Sequence, residues 1–184
     1  FFGLLLALTR LYAPAIAKVI AKVYIDVFRS IPLLVLLIVI FYALPFVGIS
    51  LSPFTAAATA LIIVSSAYTA EIFRSGIEAI PKGQFEASQA LGLSFVQMMK
   101  DVILPQATRI VIPSLTNNSI NVIKDTALAS VVAMPDLLKQ ATQAQAIAAN
   151  PTPLIAAAGI YLLVLLPMVL AVSHLEKRYS ERNQ

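Results

Sequence analysis

The dominance of apolar residues limits the fold of this chain more than any other feature. Apolar runs follow one another over 184 residues, hydrophobic residues make up 59% of the chain, and charged residues make up only 12%. Soluble domains carry about 25% charged residues, so this chain has too few to cover a surface in water. The same apolar content excludes a disordered chain. The sequence therefore predicts an all-α, polytopic transmembrane helical bundle that forms a single domain over residues 1–184.

Five apolar segments are expected to cross the membrane, and the first is truncated because the chain opens inside an apolar run. A spanning helix needs about 17–25 mostly apolar residues. Small residues dominate the third segment, which predicts a span buried among other helices. The expected spans are Phe1–Leu8, Ile31–Val47, Phe54–Ala70, Ile110–Met134 and Leu154–Ser173.

Basic residues indicate the orientation of these spans. If the spans alternate in direction, eleven of the thirteen basic residues fall on one side. The positive-inside rule places that side, with the loop between spans three and four and the C-terminus, in the cytoplasm. The net charge of +4 is therefore attributed to basic residues that set the membrane orientation, and not to binding of nucleic acid. These basic residues are Arg10, Lys18, Lys22, Arg29, Arg74, Lys82, Lys100, Arg109, Lys177, Arg178 and Arg182.

The residue types that build most catalytic and metal sites are scarce. The chain has no cysteine, and its one histidine is His174, at the edge of the last span. A zinc site built on several histidines is therefore impossible, and a Ser/His/Asp triad could use only that ring. We expect no catalytic residue, no metal and no bound cofactor in this chain.

Polar residues form a stripe along the fourth expected span. At about 100° per residue, the six of them occupy an arc of roughly 120°. A polar stripe at membrane depth should face the bundle interior or a water-filled path. Hydrogen bonds that only hold the helices together are the alternative interpretation. The six residues are Ser114, Asn117, Asn118, Asn121, Lys124 and Asp125.

Tyr68 and Glu71 of the third span are candidates for the same path. Tyr68 could contact a solute, or it could be a buried tyrosine with a hydrogen-bond partner. Glu71 lies three residues before Arg74. That spacing also allows a local ion pair.

The loop over about residues 76–106 is expected to form two short helices with a bend between them. Residues 84–91 are good helix formers, and Gly92 suits the left-handed position after a helix. Ser94 and Gln97 have the spacing of a capping box, which would begin a second helix. Phe85 and Leu91 could anchor a docking partner, but an amphipathic hairpin lying on lipid is equally compatible with the pattern.

One family is suggested by the order of several motifs. The run Glu86-Ala-Ser-Gln-Ala-Leu-Gly92, followed by Leu104-Pro105, resembles the EAA loop of ATP-binding-cassette importer permeases. Further blocks resemble the polar amino acid branch of those permeases. They are Phe28–Val35, Ala67–Arg74, Ile80–Gln84, Ile103–Ala107 and Lys124–Val131.

This resemblance implies a permease subunit of an amino acid importer in the bacterial inner membrane. Its partners would be two ATPase subunits that bind ATP and Mg²⁺, a second permease copy or homologue, an extracytoplasmic binding protein and membrane lipid. The loop over about residues 76–106 would be the cytoplasmic coupling loop. It would contact the ATPase through Glu86, Ala87, Ala90 and Gly92. The chain contains no G-x-x-x-x-G-K-[ST] phosphate loop, which agrees with ATP hydrolysis in a partner.

Two further expectations concern the polar residues outside this loop. In the fourth span, amide, ammonium and carboxylate groups could bind an amino acid zwitterion. In the outer-face segment of about residues 135–152, Pro135 should lie in the first turn of a short helix, which would be a docking face, a gate or a simple lid.

Two other classes of function remain open at this stage. An ion- or proton-coupled secondary transporter could use Lys124 and Asp125 as its coupling pair. A membrane-embedded hydrolase could use Asp125 or Glu71 as its base, although the chain shows no convincing nucleophile constellation.

Overall fold

The protein is an all-helical bundle, described here from a computed structural model of residues 1–181, with side chains up to His174. The side chains of Lys177 and Arg178, and Arg182 as a whole, which contributed to the expected orientation, lie outside the described residues. The α-helices are α1 (Phe2–Tyr12), α2 (Ala15–Ser30), α3 (Leu33–Ile38), α4 (Pro53–Glu78), α5 (Lys82–Ala90), α6 (Phe95–Gln97), α7 (Leu104–Asp125), α8 (Leu137–Ala148) and α9 (Thr152–Glu181).

Helix α4 is the centre of the bundle. Ser52 caps it through the backbone N–H of Thr55, and Pro53 occupies the first helical position, where its missing N–H costs nothing. Small buried side chains let α1, α2 and α7 pack directly against it. The buried alanines are Ala56, Ala57, Ala60, Ala67 and Ala70.

The second expected span is interrupted in several places. Helix α3 continues as a π-helical turn, Val39–Ala43, and a 3₁₀ turn, Leu44–Val47. Pro45 lies in that last turn, and Gly48 ends it at φ 84°. Proline cannot continue an α-helical hydrogen-bond ladder, so the span ends in a tighter 3₁₀ turn.

Helix α2 is an element that the sequence analysis missed. The sequence predicts a charged connection between spans here, but the segment forms a helix that packs on α1 and α4 through Ala21 and Ile25. Pro32 then stops the helix. The chain axis turns by 101° between α2 and the helical segment of residues 33–47. We call this turn, residues 29–32, the elbow.

The fourth expected span is displaced relative to the prediction. The α-helix ends at Asp125 and continues as a 3₁₀ helix, Thr126–Val132, instead of reaching Met134 as a single helix. Its start is also earlier, because α6, a π-helical turn (Met98–Ile103) and α7 follow one another without a break. The expected second short helix of the loop is therefore α6, which is the first part of a longer helical run that continues into α7. Pro105, which lacks a backbone N–H, is the second residue after the π-turn.

Two helices satisfy a membrane-crossing test of length and apolar content on their own. They are α4 and the Thr152–His174 part of α9, and the bent pair of α2 with residues 33–47 is a third if counted as one span. Helix α1 is too short at 11 residues. Helix α7 is long enough, but its polar stripe lowers its hydropathy. The all-helical transmembrane fold is confirmed, while a total of five crossings stays a prediction.

Helix α8 begins later than predicted, at Leu137. Asp136 is the capping residue, because its side chain accepts a hydrogen bond from the Lys139 backbone N–H at 2.8 Å. Pro135 therefore precedes the cap instead of lying in the first turn. An N-cap must keep its own backbone extended while its side chain turns inward, and Asp satisfies both conditions.

Candidate functional site

A cavity of about 570 Å³ lies between the elbow, α4 and the last two turns of α7. That volume is within the roughly 300–1,000 Å³ typical of small-molecule sites. The apolar part of its wall includes Leu33, Leu34 and Leu61. Its polar wall on α4 and α7 consists of Ser65, Tyr68, Asn118, Asn121, Lys124 and Asp125.

Five of the eight residues predicted for a solute path meet at this cavity. They are Tyr68, Asn118, Asn121, Lys124 and Asp125. The approach of α4 to α7 brings them together, and Asn118 donates a hydrogen bond of 3.5 Å to the Thr69 hydroxyl. The end of α7 therefore brings a cationic, an anionic and two amide side chains to the cavity, and α4 adds the Ser65 and Tyr68 hydroxyls from the facing surface.

The other three candidates lie elsewhere. Ser114 and Asn117 lie nearer the start of α7, are exposed, and are not part of the cavity wall. Glu71 lies one turn beyond Tyr68 on α4, and its carboxylate contacts arginines instead of the cavity. The predicted stripe begins at Ser114, whereas the cavity is lined only by the last two turns of α7.

The elbow contributes cavity residues that sequence reasoning did not select. Arg29 was counted as a topology charge, yet it lines the cavity together with Ser30, Ile31 and Pro32. Its guanidinium carbon lies 5.7 Å from the centre of the Tyr68 ring, within range of a cation–π contact. Pro32, three residues after Arg29, was the available signal, since a proline predicts a helix break that can expose backbone and side chains to a cavity.

An ion cluster ties three helices together beside this cavity. The Glu71 carboxylate accepts hydrogen bonds from Arg74 and from Arg10, the latter at 3.0 Å. Arg29 approaches the same carboxylate at 3.7 Å. The ion pair that the spacing of Glu71 and Arg74 allowed is therefore present, and it joins a larger cluster across α1, α2 and α4.

The loop between α4 and α7 has the bend that its sequence predicts. Gly92 follows α5 with φ 74°, in the left-handed region that favours glycine. Ser94 and Gln97 form the expected capping box: the Ser94 N–H donates to Gln97 Oε1 at 3.0 Å, and the Gln97 N–H donates to Ser94 Oγ at 3.4 Å. These two local signals set the angle between α5 and the start of the α6–α7 run.

Helix α5 packs on the bundle through one face only. Ser88 is buried, Phe85 is half-buried, and Glu86, Ala87 and Ala90 are exposed on the rest of the surface. Phe85 therefore packs inward instead of anchoring a partner, whereas Leu91 is 79% exposed. The apolar cluster beneath α5 includes Ile77, Ile80, Met98, Met99 and Ile103.

The part of the chain that the structure describes contains no group of three or more His, Asp or Glu side chains placed to hold a metal ion. The cavity wall offers a carboxylate, an ammonium group and amides. This set suits a small polar molecule that carries both charges, because each charge can find a partner of opposite sign.

Comparison with known proteins places this geometry in a wider group. Residues 1–181 match the family described as binding-protein-dependent transport system inner membrane component. Over 139 residues the chain is 42% identical to the amino-acid ABC transporter permease protein YckA of Bacillus subtilis. Over 140 residues it is 43% identical to the glutamine transport system permease protein GlnP of Rickettsia bellii.

The coverage of these alignments and the similarity to a solved structure both agree with this family match. Each alignment covers 76% of this chain, and the chain spans 62% of the first relative and 64% of the second. A solved structure of an amino acid ABC transporter with histidines is also similar, with a TM-score of 0.88 and 39% identity. That match covers 96% of this chain and 83% of the solved one.

Proposed function

Since the chain belongs to the family of binding-protein-dependent inner membrane transport components, we propose that it is the membrane subunit of an ATP-driven importer of polar amino acids. One observation carries the proposal. A single continuous helical run, from Phe95 to Asp125, begins at the bent loop and ends at the cavity that carries both positive and negative side chains. The chain therefore joins a cytoplasmic contact surface to a solute site through one element.

The cavity supports an amino acid as the solute. Asp125 can attract an ammonium group, Lys124 can attract a carboxylate, and Asn118 and Asn121 can both donate and accept hydrogen bonds. The sequence neighbours Lys124 and Asp125 lie about 100° apart on the helix, so each remains available to a bound molecule. The names of the similar proteins mention glutamine and amino acids, which agrees with this chemistry.

The exposed face of α5 supports coupling to an ATPase. Glu86, Ala87 and Ala90 are exposed on one side of a helix whose other side packs on the bundle. Small side chains at Ala87 and Ala90 would let a partner groove approach the backbone closely. ATP and Mg²⁺ would then bind in that partner, and the loop of about residues 76–106 would receive its movement.

The path from loop to cavity is a chain of packed contacts. Helix α5 packs on the π-turn Met98–Ile103, which leads directly into α7. From Phe95 to Asp125, at 1.5 Å per residue, this run extends about 45 Å. Because a packed helix moves as a near-rigid body, a push on α5 would displace the cavity wall, as expected for alternating access.

The remaining partners and the orientation follow from this assignment. The loop and the C-terminus would face the cytoplasm, as the basic residues predict. A second permease copy or homologue would complete the translocation unit. The opposite face, with α8 and residues 135–152, would receive an extracytoplasmic binding protein that delivers the solute.

Reconstitution tests the proposal. The chain is assembled with its ATPase, its permease partner and the binding protein in liposomes, and ATP hydrolysis and uptake of labelled amino acids are measured together. We expect both to rise when the binding protein carries an amino acid. Uptake that proceeds without any ATPase, driven by a proton or sodium gradient, would overturn the proposal and favour a secondary transporter.

A further inference from the structure

The Glu71 carboxylate, which lies beside the cavity, contacts three arginines. The Glu71 side chain is 20% exposed, and it contacts Arg74 and Arg10 by hydrogen bonds and Arg29 at 3.7 Å. The three arginines come from three different helices, α4, α1 and α2. Glu71 is therefore a junction at which three helices meet.

Arg29 is held less firmly than the other two arginines. Arg10 has a second carboxylate, Asp26, at 3.6 Å, and Arg74 has a second carboxylate in Glu78. Among the described residues, Arg29 has an ion pair with Glu71 alone. Its side chain is also 37% exposed, against 20% and 23% for Arg10 and Arg74.

Arg29 also lies where the backbone turns. It is the penultimate residue of α2, directly before the 101° turn of the elbow, and it lines the cavity. The Tyr68 hydroxyl donates a hydrogen bond of 3.4 Å to the Arg29 carbonyl, and the Arg29 guanidinium lies over the Tyr68 ring. The side chain of Arg29 therefore links the Glu71 junction to the cavity wall.

We propose that Glu71 is a positioning residue that acts through Arg29: it holds the elbow against α4 and so sets how far the cavity is open. Glu71 does not itself touch the solute. Without its carboxylate, Arg29 loses its anionic partner and keeps only its contacts with Tyr68, so the cavity wall formed by residues 29–32 can move away from α4. The proposal rests on the proposed function only in taking this cavity as the solute site.

The lack of cysteine in the chain gives a direct test. Ile31 is half-buried in the elbow and lines the cavity, so an Ile31→Cys substitution places a single thiol at the point expected to move. The rate of its reaction with a maleimide is measured in the assembled complex in membranes. Glu71→Gln should raise that rate roughly three- to tenfold, the change expected when a partly buried ion pair no longer restrains a local opening.

Two further variants separate this role from general loosening. Glu78→Gln removes a carboxylate that contacts Arg74 but not Arg29, and it should leave the labelling rate unchanged. Arg29→Gln should raise the rate at least as much as Glu71→Gln, and adding Glu71→Gln to Arg29→Gln should raise it no further, because the Arg29–Glu71 contact is the one that both substitutions remove. If Glu71→Gln does not fold, Arg29→Gln alone still tests the proposal. In that variant Glu71 keeps its ion pairs with Arg10 and Arg74, so no partly buried charge is left without a partner.

The outcomes are distinct. A labelling rate that does not respond to Arg29→Gln, or effects of Arg29→Gln and Glu71→Gln that simply add, would overturn the proposal. Labelling needs no solute and no ATP hydrolysis, so its result stands apart from the uptake assay. A thiol that responds as expected in a complex that moves no amino acid would refute the proposed function and leave the Glu71 assignment intact.

Discussion

At the scale of single residues, glycine decides how closely two helices approach. Gly76 of α4 faces α7, and a Cβ atom built on it would lie 2.1 Å from Val111 Cγ1 and 3.3 Å from the Ala107 carbonyl oxygen. Two carbon atoms that are not bonded to each other cannot lie 2.1 Å apart. The contact between α4 and α7, which brings the cavity residues together, therefore requires the absence of a side chain at this position.

Gly76→Ala should destabilise the protein by about 1–3 kcal/mol, because the added methyl group must push α7 away or force Val111 to change conformation. Thermal unfolding of the purified protein in detergent measures the effect. Gly83→Ala is the matched control, since nothing lies within 4 Å of a Cβ atom there. Equal unfolding temperatures for the two variants would contradict the close packing.

Gly92→Ala should weaken coupling between ATP hydrolysis and uptake. A left-handed backbone costs a non-glycine residue roughly 1–2 kcal/mol, so the bend after α5 would relax and misplace the exposed face. The ratio of amino acid taken up to ATP hydrolysed in the reconstituted complex measures this. Gly92→Asn should retain more of the ratio, because Asn tolerates the left-handed region, and equal losses for Ala and Asn would argue against a backbone cause.

At the scale of elements, the run from α6 to α7 begins at one cap and stays helical through several irregularities. Ser94 and Gln97 satisfy the first free N–H groups, the π-turn precedes Pro105, and Pro113 lies inside α7. Each irregularity would weaken an isolated helix. Packing of Met98, Met99 and Ile103 against the end of α4 keeps the run in place.

Ser94→Ala should loosen the start of this run without unfolding the bundle. Loss of an N-cap costs about 1 kcal/mol, which corresponds to roughly fivefold faster exchange of the amide hydrogens it protects. Hydrogen–deuterium exchange over residues 95–103 measures it. Ser75→Ala is the control, because that hydroxyl donates only to the Ile72 carbonyl within α4, and identical exchange in both variants would rule out the cap as the organising contact.

At the scale of the whole molecule, the cavity exists because three separate segments meet. The elbow, α4 and the end of α7 each supply part of the wall. An apolar cluster closes the bundle beyond it, where Ala129 and Val132 of the 3₁₀ helix pack against Ala56, Ala57 and Ala60 of α4. No single segment could form this site alone.

Asn121→Ala and Asp125→Asn should each raise the KM for amino acid uptake, by about tenfold or more, since each removes a hydrogen-bonding or charged contact to a charged solute. Asn117→Ala is the control on the same helix, because Asn117 is exposed and lies off the cavity wall. Uptake is measured in complexes shown to be assembled. A larger effect at Asn117 than at Asn121 would show that the stripe, and not the cavity, lines the path.

Local signals in the sequence were sufficient for much of this protein. The apolar content determined an all-helical membrane bundle, and Gly92 with Ser94 and Gln97 determined the bend of the loop. These features depend on contacts within a few residues or on average composition, so they can be predicted from the order of residues alone. The family motifs added the transport assignment, which the match over residues 1–181 supports.

Only the tertiary structure decided which polar residues share a site. The stripe on α7 is evident in the sequence, but the meeting of the elbow, α4 and the end of α7 selected Asn118, Asn121, Lys124 and Asp125 from it. Arg29 and Glu71 lie 42 positions apart in the chain, and their contact follows from how α2 crosses α4. Such contacts are fixed by the packing of whole helices, which local periodicity cannot determine.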